Sequence, residues 1–308
     1  MPTLRVATRG SALALWQAEH VVSLLRAAAP ALGVELDVDV EVVQTQGDRR
    51  RDVPIWQIGG KGVFAKEIQA ALLDGRADIA VHSAKDLPST TPDGLVIGAV
   101  PERGDPRDAL VGASLDGLPP GGVVATGSLR RRAQLAHARP DLRFEGLRGN
   151  MDTRVARASD DDVDAVVVAG IALDRLGVGD RIAERLDVDV MVPQVGQGAL
   201  AVECRAGDDA TRALLAAIEH EPSRRAVDAE RGFLVELGGD CSLPAAAHAT
   251  VSGTPAEVVV RGLVASEDGA IVIRHELRGP AADGPRLGGS LARTLLDDQG
   301  GDKLLGRT

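Results

Sequence analysis

The strongest constraint on this chain is its order of elements. Short apolar segments alternate with helical ones, the alternation is broken twice by Pro/Gly stretches, and it then stops. Residues 4–8 read as a buried strand, and Ser11 stands where an N-cap belongs, before a helix over 12–29 that Pro30 and Gly33 close. Residues 35–43 alternate Leu36, Val38, Val40 and Val42 with Glu35, Asp37, Asp39 and Glu41, the period of a strand with one wet face. A helix over 63–74 stopped by Gly75 and strands at 78–81 and 95–100 follow. This order predicts a parallel, doubly wound sheet. After the hinge signal at 101–107 the alternation restarts: strand 123–126, a helix over 129–138 capped by Ser128, strand 164–169 and helix 171–176. A second break at 192–198 precedes strand 199–204 and helix 210–220. From Glu221 the pattern changes to a helix over 223–237, three strands at 245–251, 257–265 and 270–277, a helix near 287–296 and a tail expected to fray. Strands on short turns predict an antiparallel meander packed on helices. The two α/β stretches look like an architectural duplication without residue-by-residue likeness.

At 308 residues the chain has room for two or three domains. Five aromatic residues and no Tyr leave the cores to Ala, Val, Leu and Ile, and deny a nucleic-acid module its stacking platforms. The net charge of −10 creates no field that gathers nucleic acid or anionic membrane. Cys204 and Cys241 form no C-x-x-C, which excludes a zinc ribbon, and the six His show no metal-ligand spacing. MPTLRVATRG carries no signal-peptide pattern and no apolar run reaches the ~18 residues of a membrane span, so a cytoplasmic chain with reduced thiols is expected.

Ligands of open α/β sheets bind beyond the carboxyl ends of the strands. The predicted strand exits carry Arg9 and Ser11; His82, Ser83, Lys85 and Asp86; Thr126, Ser128, Arg130 and Arg131; Arg148, Gly149, Asn150 and Arg154; and Arg175. Cations, hydroxyls and helix N-termini all bind anions, so the expected site is an inter-domain cleft for a polyanionic ligand. No P-loop or dinucleotide fingerprint occurs. Thr126-Gly-Ser128 reads equally as a phosphate cradle and as a plain N-cap. Asp86, among cations, is poor at holding a proton and good at stabilising a carbocation or iminium; a solvated loop ion pair is the competing reading. His82 reads as structural and Cys204 as core. Cys241 lies in the Gly-rich loop Leu237-Gly-Gly-Asp-Cys-Ser-Leu-Pro244, where a thiol is accessible for reaction.

Seven segments together resemble the porphobilinogen deaminase (hydroxymethylbilane synthase) family. They are Thr8-Arg-Gly-Ser-Ala-Leu-Ala14, Gly59-Gly-Lys-Gly-Val-Phe-Ala-Lys-Glu67, Val81-His-Ser-Ala-Lys-Asp-Leu-Pro88, Gly127-Ser-Leu-Arg-Arg131, Leu147-Arg-Gly-Asn150 with Arg154, Val195-Gly-Gln-Gly198 and Cys241-Ser-Leu-Pro244. The resemblance implies an α/β fold with two doubly wound, periplasmic-binding-protein-like domains, at 1–100 plus 199–217 and at 101–198. It adds a C-terminal α+β domain at 221–308 with a three-stranded antiparallel sheet. It implies a dipyrromethane cofactor in thioether linkage to Cys241 and stepwise addition of four porphobilinogens, each losing ammonia, before water releases 1-hydroxymethylbilane. Asp86, with Lys85, is then the catalytic group. Arg9, Ser11, Ser83, Lys85, Thr126, Ser128, Arg130, Arg131, Arg148 and Gly149 would hold the cofactor, and Arg9, Phe64, Arg148, Arg154, Arg175 and Gln197 the substrate. Residues 44–60 would form a lid, the segments at 101–107 and 193–198 a hinge, and the enzyme would be a monomer needing no metal. Two positions depart from the family pattern. Asp240 precedes Cys241 where Gly is more usual, and its charge disfavours the thiolate; Gln57 stands where some relatives have Lys. A two-lobed anion- or amino-acid-binding protein and a phosphate-handling transferase are the competing readings, and neither needs a modified Cys241.

Overall fold

The computed structural model describes residues 3–49, 62–238 and 243–306. Cys241, Asp240, Gln57 and most of the expected lid lie outside the described residues. The strands in chain order are β1 (Leu4–Thr8), β2 (Val38–Val42), β3 (Ile79–Ser83), β4 (Leu95–Ala99), β5 (Asp108–Val111), β6 (Val123–Ala125), β7 (Arg143–Glu145), β8 (Ala165–Ala169), β9 (Ile182–Arg185), β10 (Leu200–Arg205), β11 (Ala245–Ser252), β12 (Glu257–Ala265) and β13 (Val272–Pro280). The chain divides into two compact units, Met1–Arg103 with Ala199–Arg224, and Gly104–Gly198 with Arg225–Thr308.

Unit 1 holds a five-stranded sheet of order β2-β1-β3-β10-β4, and unit 2 one of order β7-β6-β8-β5-β9. The two orders superpose strand for strand, so the duplication is one of topology. The expectation of purely parallel sheets needs correction. β10 runs antiparallel to β3 and β4, and β5 antiparallel to β8 and β9. Each reversed strand is the first laid down after the chain passes from one unit to the other. It arrives from outside the unit rather than over a covering helix, so its direction is not set by a crossover. Local alternation carries no sign of this, and β5 and β9 were not anticipated at all.

The cores are aliphatic, as the composition requires. In unit 1 Val6, Leu25, Ile79 and Val202 pack on one sheet face, and Ala7, Ile68, Leu72 and Ala80 on the other. Ser11 caps the helix Ala12–Ala28 by accepting from Ala14 N at 3.2 Å, and Gly33 closes the following turn at φ 65°. β2 departs from its predicted burial: Val40 and Val42 are exposed, because it is an edge strand bonded only to β1.

In unit 2 the antiparallel sheet β11-β12-β13 packs with helices Glu221–Glu236 and Gly284–Arg293 around Phe233, Val260, Leu291 and Leu295. The tail is better ordered than expected. Gly301–Leu304 is helical, and Leu304 and Leu305 pack on this core.

The two helices approach backbone to backbone. A Cβ on Gly288 would lie 1.9 Å from Ala229 O, whereas one on Gly289 would meet nothing nearer than 3.6 Å. Gly288→Ala is therefore expected to lower stability by about 1–3 kcal/mol through overpacking. Gly289→Ala is expected to be neutral or stabilising by up to about 1 kcal/mol through helix propensity. Thermal or urea melts of the two variants check the contrast.

Candidate active site

One cluster of candidate residues lies within unit 1. β1 ends at Thr8, and Arg9 follows with its guanidinium 4.1 Å from the centroid of the Phe64 ring, a cation–π pair. β3 runs into the single 3-10 turn Ala84–Asp86, fixed at its start by Ala84 N donating to Ala199 O at 3.0 Å. Lys85 and Asp86 are half-buried on this turn. No hydrogen bond or ion pair among the described residues engages the Asp86 carboxylate. This differs from the competing reading of a solvated loop ion pair. Ser83, expected at the cofactor, is engaged within the protein: buried Gln17 donates to its Oγ at 2.9 Å and accepts from it at 3.3 Å. His82 is buried beside Glu203.

A separate cluster lies within unit 2, built around a carboxylate that was not among the candidates read from the sequence. Asp108 heads β5 and is fully buried. Its Oδ2 accepts from Arg130 Nη1 at 2.7 Å, and its Oδ1 from Arg131 Nε at 2.9 Å and Gln197 Nε2 at 2.9 Å. Burial alone would push this carboxyl up, but the Arg130 and Arg131 charges outweigh it and hold the group well below the usual carboxylate range. Arg131 also donates to Val167 O, and burial lowers its own pKa despite the Asp108 charge. Gln197, expected at the substrate, is buried and donates to Asp108 and to Pro106 O.

Arg130 and Arg131 were expected to pair with ligand carboxylates, and Asp108 takes much of that role. One difference separates them. Arg130 Nε and Nη2 are buried and make no hydrogen bond. Arg130 lines a cavity together with Ser128, Val195, Phe233, Leu237 and Ala245. Leu237 and Ala245 flank the segment that contains Cys241. Two buried guanidinium donors without a partner have the chemistry that binds an anionic group, so they fit a carboxylate-bearing cofactor.

The remaining candidates lie on the exits of β6, β7 and β8. Thr126 is buried, and its Oγ1 accepts from Ser128 N. Ser128 caps the helix Leu129–Ala138 by accepting from Arg131 N at 3.4 Å, which realises the N-cap reading. Arg148 and Gly149 are exposed, with Gly149 at φ 99°, and Arg154 Nε folds back to Gly149 O at 2.9 Å. Arg175 Nη2 donates to Gly198 O at 2.8 Å, and burial lowers its pKa to about 10. Cys204 is core, its thiol pushed up by burial. Among the described residues no group of His, Cys, Asp or Glu is arranged to hold a metal ion. Among the described residues no helix is long and apolar enough to cross a membrane.

Asp108 stays ionised in the folded chain below about pH 4, where an unfolded aspartate takes its proton. Its contribution is complete at neutral pH and is lost as the pH falls below that point. Asp108→Asn leaves two buried cations without their anion and is expected to cost about 3–5 kcal/mol at pH 7. Melting curves should show the gap to wild type narrowing as the pH is lowered past about 4.

Residues 4–213 match the family model described as porphobilinogen deaminase, dipyromethane cofactor binding domain, and residues 225–297 match the model of its C-terminal domain. Porphobilinogen deaminase of Syntrophotalea carbinolica is 48% identical over 305 residues, covering 98% of this chain and 95% of that one. Porphobilinogen deaminase of Pelobacter propionicus is 46% identical over 304 residues, covering 98% and 96%. Among solved structures, the L-cystine solute receptor of Neisseria gonorrhoeae is 18% identical with a TM-score of 0.40, covering 78% of this chain and 94% of that one. The chain belongs to the porphobilinogen deaminase family.

Proposed function

We propose that this chain is a hydroxymethylbilane synthase, a transferase of tetrapyrrole biosynthesis. It condenses four porphobilinogens head to tail, each with loss of ammonia, and releases 1-hydroxymethylbilane with water. The observation that carries the reading is the pair of unbonded, buried donors on Arg130, a residue that lines a cavity with Leu237 and Ala245. Arg130 and Ser128 would hold the dipyrromethane beside its attachment at Cys241, with Arg131, Thr126, Arg148, Gly149, Arg9, Ser11, Ser83 and Lys85 as the further candidates. When bound, that group supplies a pyrrole α-position from which the product chain is extended.

The chain's own residues have separable tasks. Porphobilinogen carries an acetate and a propionate, and guanidinium forks pair such carboxylates; Arg9, Arg148, Arg154 and Arg175, in the segments that follow β1, β7 and β8, would do this work. The Arg9–Phe64 stack brings a cation and an aromatic face to one place, which suits a pyrrole ring bearing carboxylates. Heterolysis of the aminomethyl C–N bond sends the electron pair off with ammonia and leaves a positive charge delocalised over the substrate ring. Asp86, with no protein partner among the described residues, is available to accept from the pyrrole N–H and to stabilise that charge. Lys85, next to it, completes the catalytic pair. Gln197 acts through Asp108 rather than on substrate. The modules 1–100 with 199–217, 101–198 and 221–308 serve as working domains, a division the three separate sheets support. The enzyme is proposed to act as a cytoplasmic monomer without a metal.

Intact-mass measurement of the purified chain is expected to show covalent mass above the polypeptide, absent from Cys241→Ser; an unmodified wild-type chain would leave the binding-protein reading in its place. Asp86→Asn is expected to keep the fold and the adduct, and to lower kcat by about 10²–10³, the loss typical of removing one electrostatic stabiliser. Near-normal turnover by that variant would remove Asp86 from the mechanism.

A further inference from the structure

Unit 1 contains a buried polar group that the reaction as described does not use. Glu203 on β10 is fully buried, on the sheet face otherwise packed by Ala7, Ile68, Leu72 and Ala80. Its two oxygens accept from one amide: Gln69 Nε2 donates to Oε1 at 3.1 Å and to Oε2 at 3.0 Å. Gln69 is itself buried, on the helix Lys66–Leu73. On the other side His82 Nε2 lies 3.1 Å from Glu203 Oε2 but off a hydrogen-bonding angle, so the nitrogen makes no bond. A carboxylate in an aliphatic core is costly unless its partners compensate it. The structure therefore retains it where a Leu or Met would pack.

We infer that Glu203 is a positioning residue that sets the Asp86 turn and the Phe64 segment relative to each other. Three connections meet at it. β10 pairs with β3 from Cys204↔Ile79 to Leu200↔Ser83, and the Asp86 turn begins where that ladder ends. His82, against Glu203, is the penultimate residue of β3. Gln69 lies one turn into the helix whose N-terminal approach carries Phe64 and, over it, Arg9. The Glu203 side chain thus ties the helix behind the aromatic platform to β10, whose backbone ladder holds the strand leading to the catalytic carboxylate. A helix against a sheet slides more easily across apolar contacts than across directional bonds. The Gln69–Glu203 bonds remove that freedom at the site.

This inference rests on the deaminase reading, and one experiment separates the two. Porphobilinogen turnover is measured for the holoenzyme of the wild type, Glu203→Gln, Gln69→Met and the reciprocal exchange Glu203→Gln with Gln69→Glu, each checked for its covalent adduct by intact mass. Glu203→Gln and Gln69→Met are expected to lower kcat at least tenfold with KM changed less than twofold and the adduct retained. The exchange restores one carboxylate and one amide across the same gap and is expected to recover most of kcat. A wild type that does not consume porphobilinogen overturns the deaminase reading. An active wild type with either single variant within twofold of its kcat, or a loss that the exchange does not recover, overturns the positioning role. Where Glu203→Gln does not fold, Gln69→Met, which keeps the side-chain shape, decides alone.

Discussion

Two guanidinium groups cannot sit side by side in a protein interior without an anion between them. In unit 2 that anion is Asp108, whose carboxylate is shared between Arg130 and Arg131 and braced by Gln197. The arrangement fixes where the helix Leu129–Ala138 begins, because both arginines lie in its first turn, behind the Ser128 cap. It leaves Arg130 with two donors that the protein does not use. The protein thus meets the desolvation of its arginines largely internally, through Asp108.

The same economy runs through unit 1. Each face of β3 is met by a buried glutamine: Gln17 bonds Ser83 on one face and Gln69 bonds Glu203 beside His82 on the other. Alternation along a strand makes this possible, since adjacent side chains point to opposite faces. The turn that carries Asp86 is therefore held by backbone and side-chain bonds close to its root, while its carboxylate remains available. The aliphatic cores around these polar clusters supply burial without direction. Direction comes from a handful of amides and carboxylates.

Much of the fold was legible along the chain. The Ser11 and Ser128 caps, the glycine closing the first helix and the three-stranded meander each follow from local chemistry that needs no distant partner. The reversed strands β5 and β10 were not legible, because strand direction depends on where the chain has come from and not on the residues of the strand. β5 was hidden further by its brevity and by the Pro-rich segment before it. Asp108 left a faint signal, a charge at the head of the apolar run Ala-Leu-Val111, which is an unusual place for a carboxylate unless it is paired. That Gln197 is buried against Asp108 was not legible either, because a motif gives residue types in order and not which of them end up buried.

The amino-acid sequence by itself determined the family, the aliphatic character of the cores, the helix caps and the set of cations and hydroxyls at the strand exits. All of these are properties of neighbours within a few residues, or of residue types in order. Only the tertiary structure decided which arginines are spoken for. Arg130 and Arg131 are adjacent and chemically identical, yet their unused donors differ, since Asp108, Val167 and Val192 reach them from other strands and loops. Hydrogen-bond capacity is consumed by whatever lies within about 3 Å in space, and sequence distance places no limit on that.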